Sequence, residues 1–301
     1  MFDIAFVGHF TKDTIVNEQG LSRGLAPRGS SVHLGGAYYY GCHVTARMGL
    51  NVAVVTRLAL EDAIVVDELR MLGVTVFPTF TPQSTNLRIV YPTSDLDRRA
   101  IYATGFAGAF TPAEVGNVDA RVFHVGASIR GEVPTEVVHA LHDKGASVSL
   151  DVQGFIRVNR DGELVSAPWP EMPQVLALVN VLKTDISEVT YLTGQGDMRK
   201  AATALAALGP QEVIVTHNAG VLVLANGQFY EEPWLVREIK GRTGRGDTCT
   251  AAYLGKRLTS GPAEATRFAA AVTGRKLEAP GPFKGDISEI ERLLSESMRQ
   301  H

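Results

Sequence analysis

The sequence predicts an α/β fold built on a mostly parallel central sheet. Three observations carry that expectation. Short apolar runs recur along the chain, as in Ile4-Ala5-Phe6-Val7 and Glu212-Val213-Ile214-Val215-Thr216. Stretches with helical composition separate them, which is the signature of strand–helix–strand units. One block, between residues 75 and 102, breaks the rhythm with Thr, Val, Ile, Tyr and Phe at a period near two. That alternation suits a small sheet with one wet face.

The elements follow in order. The first apolar run is closed by Gly8 and reads as a buried strand. From His9 to Leu34 the composition turns polar, and Ala37 to Met48 can carry a helix. Asn51 to Val55 reads as a second strand, and Thr75 to Pro82 with Thr85 to Tyr102 as the small sheet. Arg121 to Val125 is a strand and Pro134 to Lys144 a helix stopped by Gly145. Ser147 to Asp151, Val179 to Lys183 and Glu212 to Thr216 are further strands, and Met198 to Leu208 is an alanine-rich helix. Trp234 to Ile239 reads as strand-like. Asp247 to Leu258, Ala263 to Leu277 and the tail from Asp286 read as helices. Ligands of such sheets sit beyond the carboxyl ends of the strands, so the chemistry is expected there.

Bulk properties narrow the function. The 301 residues are 45% hydrophobic and 20% charged, which excludes disorder of the whole chain. A net charge of −3 disfavours nucleic acid and anionic membranes as partners. Two cysteines, Cys42 and Cys249, are too few for a disulfide framework and are spaced unlike metal ligands. The segment Met1 to Phe10 lacks a basic region and a cleavage signal, and no apolar run is long enough to cross a bilayer. A cytoplasmic location is therefore expected.

The most informative segment is Gly241-Arg242-Thr243-Gly244-Arg245-Gly246-Asp247-Thr248. Two glycines flanking one residue, ahead of a helix, create a concave patch of backbone N–H groups that suits an anion. An acid in such a patch is out of place unless it takes a proton from a hydroxyl that attacks phosphorus. The plainer reading is a strand-to-helix turn in which Asp247 caps the helix.

This segment resembles the C-terminal signature D-T-x-G-A-G-D of the PfkB, or ribokinase-like, family of carbohydrate kinases. Gly244, Gly246 and Asp247 match; the first Asp is Gly241 here and the Ala is Arg245. The resemblance implies that Gly244, Arg245 and Gly246 form an anion hole and that Asp247 is the catalytic base. It covers nearly the whole chain in order. Gly8 to Asp13 is similar to the first strand and its G-x-x-x-x-D, whose Asp holds substrate hydroxyls; a carboxylate accepts two hydrogen bonds and suits vicinal diols. Gly35-Gly36-Ala37 and Ala46-Arg47-Met48-Gly49 resemble the N-terminal signature, with Tyr40 where the family has a sugar-reading Asn. Lys183-Thr184-Asp185-Ile186-Ser187-Glu188 resembles the N-x-x-E motif that organises magnesium, with Asp185 for the Asn. The same six residues also read as a helix start with Glu188 in the first turn. Val215 to Gly220 is similar to V-T-x-G-x-x-G, one residue short and with Asn218 for the first Gly.

The resemblance therefore implies one three-layer α/β/α ribokinase-like domain over residues 1–301, with a mostly parallel sheet and lid segments near 10–34 and 75–104. It implies transfer of the γ-phosphate of ATP, with Mg²⁺, to a hydroxyl of a sugar or related polyol. Asp13, Gly35, Gly36 and Tyr40 would bind substrate. Lys183, Asp185, Thr216, Asn218, Gly220, Thr243, Gly244 and Gly246 would bind the nucleotide, and Asp185 and Glu188 the metal through water. Tyr40 in place of Asn argues against an ordinary ribose or fructose kinase and toward a cyclitol such as myo-inositol. Alternatives are a nucleoside kinase and a non-catalytic polyol-binding regulator of the same fold. A homodimer paired through the lid is also implied. A dinucleotide oxidoreductase lacks its G-x-G-x-x-G after the first strand, and no G-x-x-x-x-G-K-[ST] is present.

Overall fold

The computed structural model describes residues 1–17, 29–92 and 99–298. The chain opens with β1 (Phe2–Val7), β2 (Thr11–Asn17), β3 (Gly29–Gly35), α1 (Ala37–Thr45), β4 (Val52–Ala59) and α2 (Ile64–Met71). It continues through β5 (Thr75–Thr81), β6 (Thr85–Tyr91), β7 (Ala100–Gly105), α3 (Pro112–Gly116), β8 (Ala120–Val125) and α4 (Thr135–His142). Then come β9 (Ser147–Asp151), α5 (Gln153–Ile156), β10 (Arg157–Arg160), β11 (Glu163–Ser166), α6 (Met172–Leu176) and β12 (Val181–Asp185). The remainder is α7 (Ile186–Thr193), α8 (Met198–Ala206), β13 (Glu212–Thr216), β14 (Gly220–Ala225), β15 (Gln228–Pro233), α9 (Arg245–Arg257), α10 (Pro262–Leu277) and α11 (Ile287–Met298).

The strands form a nine-stranded sheet, in the order β15-β14-β13-β12-β9-β8-β1-β4-β5, and a six-stranded sheet, β10-β11-β7-β6-β2-β3. The large sheet is parallel from β13 to β5; β14 and β15 add an antiparallel hairpin at one edge. Alternation along β1 divides its side chains between two cores. Ile4 and Phe6 join one with Tyr253 of α9 and Phe268 of α10, while Ala5 and Val7 join the other with Leu141 of α4 and Leu205 of α8. The result is the expected α/β/α stack, with both faces of the sheet dry, as a parallel sheet requires. No helix among the described residues is long and apolar enough to cross a membrane.

The smaller sheet lies over the carboxyl ends of the large one, and its own apolar patch joins Leu87, Ile89, Tyr91, Ile101 and Leu164 to Ile129 below. Three elements differ from the sequence reading. Thr75–Thr81, expected in the small sheet, pairs parallel with β4 at the edge of the large one. As an edge strand it is wet on one side and carries the same alternation as a lid strand. The lid instead gains β10 and β11, a short hairpin too polar to announce itself. Trp234 to Ile239 is irregular rather than strand, because the strand that precedes the turn is β15. Residues 18–28 of the expected lid lie outside the described ones.

Candidate active site

A cavity of about 610 Å³ opens where the strands of the large sheet end beneath the lid. Its floor is Lys183 and Asp185 from the end of β12, Thr216 from β13 and the turn Thr243 to Asp247. Its roof is Leu87, Ile89, Tyr91, Arg99 and Ile101 from the lid, and Arg157 closes one side. An adjoining hollow of about 390 Å³ shares Tyr40, Tyr91, Arg242 and Thr243 and is walled by Ile239, Pro280 and Gly281.

Two carboxylates face each other across the cavity. Asp13 is buried on β2, and its Oδ1 has no hydrogen-bond partner. Such an atom costs free energy unless a ligand satisfies it. Asp247 stands in the first turn of α9. Burial pushes each carboxyl up to about 6; the Asp247 charge adds to the rise at Asp13, and at Asp247 Lys183 pulls down against Asp151. Gly35 and Gly36 leave room for this arrangement. A Cβ on Gly35 would stand 2.6 Å from Asp13 Oδ2, and Gly36 has φ 100° with the His9 carbonyl 2.5 Å from where its Cβ would be. Gly36 lines the cavity and Gly35 does not.

The turn ahead of α9 is built by glycine. Gly244 is the N-cap with φ 77°, and a Cβ there would lie 2.1 Å from the Tyr40 ring. A Cβ on Gly246 would meet the Lys183 side chain at 2.9 Å, so Lys183 runs directly against the turn. The amide of Arg245 donates to the Arg242 carbonyl at 3.1 Å. The amides of Gly246 and Asp247, at the positive end of a 13-residue helix, therefore carry the anion-binding capacity of the turn. Arg245 lines the cavity, as does Arg242, whose guanidinium donates to Asn218 at 3.0 Å.

Lys183 is the hub of the floor. Its ammonium donates to Asp151 at 2.8 Å, and both groups are buried. Burial alone would lower the Lys183 ammonium, but Asp151, Glu188, Asp247 and Asp185 outweigh it and hold it above its ordinary value. Asp185 caps α7: its Oδ1 accepts from the Ser187 and Glu188 amides at 2.8 Å, and Glu188 Oε2 accepts from the Asp185 amide at 2.8 Å. This is a complete capping box. It uses one oxygen of each carboxylate and turns both groups toward the cavity. Burial pushes Glu188 up to about 7, against the pull of Lys183.

Among the described residues no three His, Cys, Asp or Glu side chains form a cage for a metal ion. Two carboxylates beside the anion-binding turn do fit a hydrated Mg²⁺, which binds through few protein oxygens and keeps its waters.

The cavity thus gathers Asp13, Gly36, Tyr40, Lys183, Asp185, Glu188, Thr216, Asn218, Thr243, Gly244, Arg245, Gly246 and Asp247. Gly220 falls outside it. It begins β14, and a Cβ there would strike the Glu232 carbonyl of β15 at 2.2 Å, so its glycine serves the hairpin. Arg99 and Arg157 were not legible in the sequence, because their motif-free surroundings give no cue until the lid folds over. Both face Glu188 and Asp185 across the cavity.

A family model described as pfkB family carbohydrate kinase matches residues 1–283. Similar solved structures include a pyrophosphate-dependent kinase in the ribokinase family complexed with a pyrophosphate analogue and myo-inositol. It is 30% identical, with 96% of this chain and 99% of that one covered and a TM-score of 0.86. A sulfate complex of a pyrophosphate-dependent kinase in the ribokinase family is 32% identical over 95% of this chain and 99% of that one, with a TM-score of 0.87. Ribokinase of Arabidopsis thaliana complexed with ribose and ATP is 20% identical over 97% and 98%, with a TM-score of 0.76, and shares the fold. None of the curated proteins matches this chain.

Proposed function

This chain belongs to the pfkB family of carbohydrate kinases, and we propose that it phosphorylates one hydroxyl of a cyclic polyol of the myo-inositol class. The observation that carries the reading is the orphaned carboxylate of Asp13 facing Asp247 and its anion-binding turn across one cavity. Asp13 accepts hydrogen bonds from hydroxyls of the acceptor, and Tyr40 and the apolar lid residues Leu87, Ile89 and Ile101 shape its pocket. Asp247 takes the proton of the attacking hydroxyl as the O–P bond forms. The Gly246 and Asp247 amides, with Lys183 behind them, stabilise charge on the transferring group. Asp185 and Glu188 would hold Mg²⁺ through water, and the ion would offset charge on the donor phosphates. With substrate bound beneath it, the lid would keep water, a competing acceptor, from the reacting phosphorus.

For the donor, ATP with Mg²⁺ is the reading from the sequence, and the hollow walled by Ile239, Pro280 and Gly281 offers apolar surface for a nucleoside. Inorganic pyrophosphate is a second reading with its own support. Arg242 and Arg245 stand at the donor side where the family signature has uncharged residues, and the two solved structures at 30–32% identity are described as pyrophosphate-dependent. A homodimer paired through the lid belongs to the same reading; β3 lies at the edge of the small sheet with Val32 65% exposed.

The test is phosphomonoester formation, followed by phosphorus NMR, from ATP or pyrophosphate with Mg²⁺ across cyclitols, pentoses, hexoses and nucleosides. Turnover of a cyclitol with either donor supports the reading and names the donor. Polyol binding by calorimetry with no turnover from either donor would replace it with the binding-regulator alternative.

A further inference from the structure

One buried charge near the site is not used by the mechanism above. Lys276, in the last turn of α10, is 2% exposed, yet no carboxylate pairs with it within ion-pair distance among the described residues. Its ammonium donates instead to two backbone carbonyls, Gly241 at 2.9 Å and Thr243 at 2.5 Å. It also stands 5.6 Å from the centre of the Tyr40 ring. Those carbonyls belong to the segment that delivers Gly244, and the Tyr40 ring is the surface against which Gly244 packs. The same helix end also accepts from the Lys240 and Gly241 amides through the Leu277 carbonyl, at 2.7 and 3.1 Å.

A compact cation between two converging carbonyls and an aromatic face is the environment in which proteins hold K⁺ or NH₄⁺. Here the cation arrives on a side chain. The family signature's first acid is Gly241 in this chain, so the segment meets the ammonium with its carbonyl and carries no side chain there.

We propose that Lys276 is a tethered monovalent cation that fixes the turn ahead of Asp247, so that this enzyme needs no dissolved potassium or ammonium to hold its anion hole. Lys276 is a positioning residue: it acts through the Gly241 and Thr243 carbonyls and touches no reacting atom. Its place beside Asp247 and Arg245 adds a fixed positive charge below the base and offsets part of the charge that the turn collects. The inference deepens the kinase reading above and rests on it.

The test compares the full-length chain with Lys276→Met, which keeps the length of the side chain and removes the charge. Rates are measured in a tetramethylammonium buffer with and without KCl or NH₄Cl, and amide hydrogen exchange is followed over residues 241–248. Wild type is expected to change less than about twofold on adding either salt. Lys276→Met is expected to lose about 10²-fold in kcat with little change in polyol KM, as misplacement of an anion hole does. Saturating NH₄⁺ or K⁺ should restore at least about tenfold of that loss, and the exchange of residues 241–248 should slow in parallel. A wild type that requires potassium overturns the proposal, and needs no variant to do so. A folded Lys276→Met variant with full turnover, or one deaf to both cations, overturns it as well. If no donor and acceptor pair gives turnover, the kinase reading fails separately. The exchange arm still decides: acceleration in Lys276→Met reversed by NH₄⁺ or K⁺ supports the tethered cation, and unchanged exchange refutes it.

Discussion

Replacing Asp247 by Asn removes the base and keeps the shape of the side chain, so it separates chemistry from folding. General-base catalysis contributes about 10²–10⁴-fold, or about 3–5 kcal/mol of barrier, and kcat should fall by at least ~10². Stability should move the other way. Burial raises the Asp247 carboxyl from 3.8 to about 6, and two units correspond to about 3 kcal/mol against the charged form in the fold. Solvent reaching the side chain through the cavity, and the lost attraction between a first-turn acid and the helix dipole, reduce this to about 2 kcal/mol. The sign follows from the raised value. Above pH 6 the carboxylate is ionised in both states and the fold bears the burial cost; the cost shrinks as pH falls from 6 toward 3.8 and vanishes below it. The Asn variant should therefore melt higher than wild type at pH 7.5, with most of that difference gone at pH 4. Phosphomonoester formation gives the rate, and thermal melting followed by circular dichroism gives the stability. A variant whose kcat stays within tenfold of wild type, or that melts lower at pH 7.5, refutes the reasoning.

Three further outcomes follow from the same geometry. The pH profile of kcat/KM should rise through about 6, as Asp13 and Asp247 ionise, and fall above about 8, where burial has lowered the Lys276 ammonium; a flat profile between 5 and 9 contradicts both assignments. Gly244→Ala places a Cβ 2.1 Å from the Tyr40 ring at φ 77°, so it should destabilise the fold by about 1–3 kcal/mol, measured by urea unfolding, and depress kcat through the displaced turn. Lys183→Met leaves Asp151 buried without its ion partner, which should cost about 3–5 kcal/mol of unfolding free energy and more at pH 7 than at pH 4; equal loss at both would show packing rather than charge.

The large sheet was legible because a parallel sheet dry on both faces writes continuous apolar runs, as in Val52–Val55. The lid was not, because its strands are half wet and pair across long gaps: β2 lies parallel to β6 over 70 residues away in sequence. Nothing local tells Thr75–Thr81 from a lid strand, since register and partner choice are decided by the fold. In the site, glycines and first-turn acids could be read because they serve local backbone geometry, as Gly244 with its positive φ does. Arg99, Arg157 and Lys276 could not. Their roles depend on which distant backbone or carboxylate they meet, and a lone basic residue is ordinarily a surface residue.

The departures from the family signature fall on one side of the active site. Asp13 and Asp247, to which the proposed function gives the gripping and activation of the acceptor, are both present, as are the glycines that give them room. On the donor side the changes are linked in space. Gly241 meets Lys276 with its carbonyl, Arg242 reaches Asn218, and Arg245 stands in the turn itself. Each change adds a cation or removes an acid next to the amides of the turn ahead of α9. Three changes within five residues, two of them joined by the bond from the Arg245 amide to the Arg242 carbonyl, are what the pyrophosphate reading of the donor expects. Such a site would hold a compact polyanion by charge and leave less for a nucleoside to supply, while the side given to the acceptor keeps the signature's acids. On the pyrophosphate reading proposed above, the donor side, more than the acceptor side, is where this chain departs from the family signature.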